Sequence, residues 1–208
     1  MPDRVFVAIE LPEPARDLLD ASLATFLHSS PTWAGEKPVA TALFHVTLAF
    51  IGAVPDPAFP ELLQRLRVAV GEVDPFDLCL EGVRPIPSTH HATMVWATLS
   101  GNIEAAGELS TRTARAAGLA VDPRPLRPHV TLIRSRRPRR IHAGAISAAS
   151  AILSGPGKES DRVVSVRSVT VFSSTLGPGG PVYEPLAVLR LGAGPQGPGS
   201  IDIEHVFV

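Results

Sequence analysis

Along the 208-residue chain, short runs rich in β-formers alternate with stretches whose apolar residues recur at helical spacing. Val5 to Leu11 (VFVAIEL) predicts a strand that runs into Pro12-Glu13-Pro14, after which Ala15, Leu18, Leu19, Leu23, Phe26 and Leu27 mark an amphipathic helix. Pro, Gly and Ser between Ser29 and Pro38 signal a loop, and a strand follows from about Leu43 to Ile51, ending at Gly52. Leu62, Leu63, Leu66 and Val70 place a second helix over Pro60 to Val70. Strands at Phe76 to Val83 and Thr93 to Leu99 flank the turn-forming Pro85 to His91, and Asn102 to Ala117 reads as a third helix. The second half gives a strand at His129 to Arg134, a helix at Ala143 to Leu153, and strands near Val163 to Ser173 and Val182 to Leu191. This order predicts an α+β architecture of two similar lobes forming one domain over residues 1–191. Gly192 to Ser200 has the composition of a flexible linker, and Ile201 to Val208 reads as a tail with no assigned function.

With 45% hydrophobic residues and a formal net charge of −1, the chain has the makings of a sizeable core. Such a balance argues against nonspecific coating of nucleic acid, which depends on many released counterions. Local charge differs: Arg124, Arg127, Arg134, Arg136, Arg137, Arg139 and Arg140 crowd together and predict a basic rim. No run of about 18 apolar residues occurs, and Met1-Pro2-Asp3-Arg4 lacks a signal peptide's flank, so a cytoplasmic location is expected. Cys79, the single cysteine, rules out an internal disulfide and a cysteine-built zinc site, and its neighbours Leu78 and Leu80 predict a packed core thiol. His90 and His91 are adjacent and point apart; with His28, His142 and His205 they read as surface residues, leaving no expected metal site or cofactor. All the apolar faces can be buried within one chain, so a monomer is expected.

The chemistry is carried by a repeat. His45-Val46-Thr47-Leu48 recurs as His129-Val130-Thr131-Leu132, eighty-four positions later. In a strand, side chains at i and i+2 share a face, so each copy presents an imidazole beside a hydroxyl and turns Val and Leu the other way. Were the two strands to border one cleft, one histidine would accept a proton while the other gave one, which suits a phosphodiester. Thr47 and Thr131 would donate to phosphate oxygens, and Arg134 would add a charged fork matched to phosphate geometry. Phe44 and Phe50 are evenly spaced with Val46 and Leu48, which predicts core packing for both. Tyr183 reads equally as a nucleobase contact or a structural residue.

These pieces resemble the two-histidine phosphoesterases, and more narrowly the RNA 2′,3′-cyclic phosphodiesterases once called 2′-5′ RNA ligases. The resemblance is carried by RVFVAIELPEPARDLL, FHVTLAFIG, MVWATL, RPHVTLIR and VTVFSSTLGPGGPVYEPL, from about Arg4 to Leu191. It implies a bilobed fold with antiparallel sheets, flanking helices and pseudo-twofold symmetry around a central cleft holding both histidines. It also implies metal-independent opening of a 2′,3′-cyclic phosphate at an RNA end to a 2′-phosphate, with small cyclic nucleotides as further candidate substrates. Arg134 falls where the family's second motif carries a phosphate-facing arginine. The polarity of the pair stays open; His45 as acid and His129 as base is the preferred assignment. Two other readings remain: the reverse reaction, 2′-5′ ligation of RNA ends, and a nucleotide-binding module without catalysis.

Overall fold

The computed structural model describes residues 4–156, 159–177 and 180–194. In chain order the elements are β1 (Arg4–Glu10), α1 (Glu13–Ser29), β2 (Lys37–Pro38), β3 (His45–Ala53), α2 (Phe59–Gly71), β4 (Phe76–Ile86), β5 (Ala92–Gly101), α3 (Ile103–Ala116), β6 (His129–Arg139), α4 (Ala143–Ser154), β7 (Val163–Val166), β8 (Ser168–Gly177) and β9 (Gly180–Arg190). Their starts have local causes. Pro14 and Pro60 sit in the first turns of α1 and α2, where a missing N–H costs nothing, and Asn102 caps α3 by accepting from the Ala105 amide at 3.1 Å.

The strands form one sheet in the order β7-β4-β5-β6-β3-β1-β8-β9, with β2 added on β6 and every pairing antiparallel. At its centre β3 and β6 meet through a single bridging pair, Val46 opposite Val130, so the sheet divides into two lobes. Helices α1 and α4 cover the β4–β6 lobe, joined by the buried Ser22 hydroxyl, which donates to the Ala149 carbonyl at 2.9 Å. Helices α2 and α3 cover the other lobe, and one hydrophobic core runs behind both. The halves of the chain are interlaced. β1 and β3 lie in one lobe while β4 joins the other; β5 and β6 lie in that second lobe while β8 returns to the first.

Three expectations change. The segment from Val163 to Ser173 is two strands, split at Arg167: β7 pairs with β4, β8 with β1. Val164 and Val166 are buried, then Val169 and Val171, so the buried parity flips at the split. One residue separates the first strand of the sheet order from the seventh, which requires the sheet to curl strongly. Cys79 lies half-buried rather than packed in the core, because strand alternation turns it away from the face that buries Leu78 and Leu80. The start of the expected linker is held: Gly192 and Gly194 donate to the carbonyls of Val73 and Gly71 at 2.8 and 3.1 Å. A Cβ on Gly71 would lie 2.8 Å from the Gly194 carbonyl oxygen, so this approach needs glycine. The rest of the linker and the tail, 195–208, lie outside the described residues.

Candidate active site

Both motif strands bear the same irregularity. On β3, Thr47 faces Ala8 and Ala49 faces Val7, leaving Leu48 without a partner; on β6, Thr131 faces Trp96 and Ile133 faces Val95, leaving Leu132 without one. Each leucine is the extra residue of a β-bulge, and each bulge reverses the inside–outside alternation beyond it. Carbonyls freed by a bulge need donors. The Leu48 carbonyl accepts from the Ser110 hydroxyl of α3 at 2.7 Å, and the Leu132 carbonyl accepts from the Val39 amide at 2.9 Å.

Val46 and Val130 face each other and are buried, so His45, Thr47, His129 and Thr131 all project from the opposite face. Val46–Val130 is the single pair between the two strands, so the two motifs meet at their second residues. Beyond the bulges, Arg134 and Phe50 come round to that same face. Arg134 sits opposite Met94 on β5, with Nη1 3.0 Å from the Met94 sulfur and Nη2 3.5 Å from the Thr131 hydroxyl oxygen. Phe50 occupies the corresponding place on β3, opposite Phe6, with ring centroids 6.1 Å apart. Its expected core position is therefore overturned: Phe44 is buried, but Phe50 is 71% exposed at the rim.

Backbone carbonyls fix both imidazoles. His45 Nδ1 lies 2.7 Å from the Leu43 carbonyl and His129 Nδ1 lies 2.8 Å from that of Arg127. Since a carbonyl only accepts, each Nδ1 carries hydrogen and each Nε2 is left for chemistry. His45 Nε2 meets the Thr47 hydroxyl at 3.0 Å. His129 is stacked on Trp96, with centroids 3.6 Å apart and planes 17° from parallel. Burial pushes both imidazoles below their ordinary value; the carbonyl bonds oppose this and the Arg134 cation adds to it. His129 also lowers His45, so charge on one ring disfavours charge on its neighbour. By themselves the two rings thus favour the neutral form.

The family model for the 2′-5′ RNA ligase superfamily matches residues 34–172, about two thirds of the chain, and spans both histidine motifs. The chain belongs to this superfamily. An RNA 2′,3′-cyclic phosphodiesterase of Aeropyrum pernix is 30% identical over 156 residues, covering 72% of this chain and 83% of that one. One from Archaeoglobus fulgidus is 28% identical over 196 residues, covering 90% and 99%. Among solved structures, a protein of Thermus thermophilus has the same fold as this superfamily member, with a TM-score of 0.66 at 24% identity, covering 91% of this chain and 98% of that one.

The five residues expected in the superfamily member's site thus share one face of the sheet: His45, His129, Thr47, Thr131 and Arg134. The arginine cluster does not form a uniform rim. Arg124 pairs with Asp122 at 2.6 Å, Arg139 pairs with Glu36, and Arg140 donates to His90 Nδ1 at 3.3 Å. His142 caps α4, accepting from the Gly144 amide at 3.2 Å. Among the described residues no three His, Cys, Asp or Glu side chains gather as a metal would need, and no helix is long and apolar enough to cross a membrane. Sequence reasoning missed Trp96 and Phe6, which pack on the two imidazoles from neighbouring strands. Only strand pairing reveals those contacts.

Proposed function

We propose that this chain hydrolyses 2′,3′-cyclic phosphate ends of RNA to 2′-phosphates, without a metal, by general acid–base catalysis from His45 and His129. The observation that carries this reading is the placement of both imidazoles and both threonines on one sheet face, beside an arginine turned inward by a bulge. The names of the relatives at 27 to 30% identity support the substrate class.

His129 Nε2 takes a proton from water as its oxygen attacks phosphorus. The P–O3′ bond breaks in line, and His45 Nε2–H protonates the departing 3′ oxygen, leaving a 2′-phosphate and a free 3′-hydroxyl. Thr47, Thr131 and Arg134 hold the nonbridging oxygens, where negative charge accumulates. Asymmetry at the rim supports this polarity. The two bulges put Phe50 on the His45 side and Arg134 on the His129 side, and a nucleoside prefers the aromatic side. In an in-line displacement the leaving oxygen is on the nucleoside side and water opposite, which favours His45 as the acid and His129 as the base.

Incubation with RNA ending in a 2′,3′-cyclic phosphate, in the presence of a chelator, is expected to yield 2′-phosphate ends; an unchanged end overturns the reading. Phe50→Ala is expected to raise KM for a nucleoside 2′,3′-cyclic phosphate about 5- to 150-fold, from the usual strength of base–aromatic stacking. The corresponding KM with an abasic ribose 2′,3′-cyclic phosphate should move far less, and comparison of the two checks the stacking.

A further inference from the structure

Tyr183, the only tyrosine in the chain, stands on β9, three strands from β3 in the sheet order. Neighbouring strands lie about 4.8 Å apart, so in a flat sheet its ring would not reach His45. Here the sheet curls, and the Tyr183 ring meets the His45 ring edge-on, with centroids 5.5 Å apart and planes at 83°. It also meets Phe6 edge-on at 4.9 Å and lies 6.3 Å from Phe172. The ring is therefore held against the imidazole by residues of two other strands, β1 and β8. Its hydroxyl has no hydrogen-bond partner in the protein among the described residues. Burial raises its pKa while the Arg134 cation, from the other lobe, lowers it, and the phenol stays protonated near neutral pH. A fixed phenol with a spare O–H, half-buried beside an imidazole, is a donor in want of an anionic acceptor.

We propose that Tyr183 donates its hydroxyl hydrogen bond to a phosphoryl oxygen of the substrate, from the His45 side of the cleft. This rests on the proposed phosphodiesterase reading and adds a donor from a strand outside both histidine motifs. Its role is to hold the phosphoryl group against the acid; no proton leaves the phenol. Because the ring packs on His45, Tyr183→Phe keeps the packing and removes only the donor.

Two measurements test the proposal together. Tyr183→Phe is expected to lower kcat/KM for a 2′,3′-cyclic nucleotide about 10- to 150-fold, the usual range for a hydrogen bond to a charged group, with the thermal midpoint retained. Protein carrying 3-fluorotyrosine gives a single fluorine resonance, which is expected to shift on titration with inorganic phosphate alongside the His45 and His129 ring nitrogen signals. If phosphate moves the imidazole signals but not the fluorine, or if Tyr183→Phe keeps full kcat/KM, the Tyr183 role is overturned. If phosphate moves none of them and the wild type leaves the cyclic nucleotide intact, the phosphodiesterase reading itself fails.

Discussion

Replacing His129 by alanine is expected to slow opening of a 2′,3′-cyclic phosphate by about 100- to 10,000-fold, the usual range for a positioned general base. Replacing His45 should cost as much, since protonating an alkoxide leaving group is no less demanding than deprotonating water. The two variants differ in what rescues them. A cyclic phosphorothiolate with sulfur in place of the 3′ oxygen expels a thiolate that needs no proton. It is expected to restore most of the rate to His45→Ala and none to His129→Ala. Rescue of the opposite variant would reverse the assignment, and equal, small losses in both would remove the two-imidazole mechanism.

Arg134→Gln carries the second large effect. Losing charge-assisted hydrogen bonds to the phosphate is expected to lower kcat/KM by about 10- to 150-fold. The same change should displace the pH profile in a defined direction. In the free protein burial is the main cause holding both imidazoles down, and the Arg134 cation pushes the same way. Both limbs of the kcat/KM bell should therefore lie to the acid side of about 6.5, the ordinary imidazole value. Without the cation each imidazole becomes a stronger base, so both limbs move towards higher pH. Arg134→Lys retains the charge but not the planar fork; its limbs should stay near their wild-type positions while the rate recovers only in part. A variant profile that moves to lower pH, or not at all, would separate Arg134 from the imidazoles.

Much of the site is legible in the chain itself, because the information is local. His45-Val46-Thr47-Leu48 and its second copy state their own alternation, and Val46 and Val130 are buried as that alternation requires. The rule fails two residues past the first copy, at Phe50. Counting by twos puts Phe50 with Val46 in the core and Arg134 on the face opposite His129. The extra residues Leu48 and Leu132 reverse both outcomes. A bulge depends on what the neighbouring strand offers, and the donors that settle these two come from Ser110, far along the chain, and Val39, on a segment that reads as loop. Arg134 is therefore reachable through family resemblance, while periodicity alone misplaces it. The break at Arg167 is hidden for a related reason: both β7 and β8 are rich in valine, and only their partners differ. Trp96, Phe6 and Tyr183 surround the imidazoles through contacts between distant strands, which no window of sequence contains.

The exchange of β4 and β8 between lobes has a consequence for how such a molecule can exist at all. Cut at the β4–β5 turn, neither fragment would own a finished layer: the first would carry β4 as a protruding arm and lack β8 and β9, and the second would carry β8 and β9 and lack β4. The two fragments complete each other by trading arms, which makes this single polypeptide the covalent equivalent of a swapped pair, with His45 and His129 on the strands where the two meet.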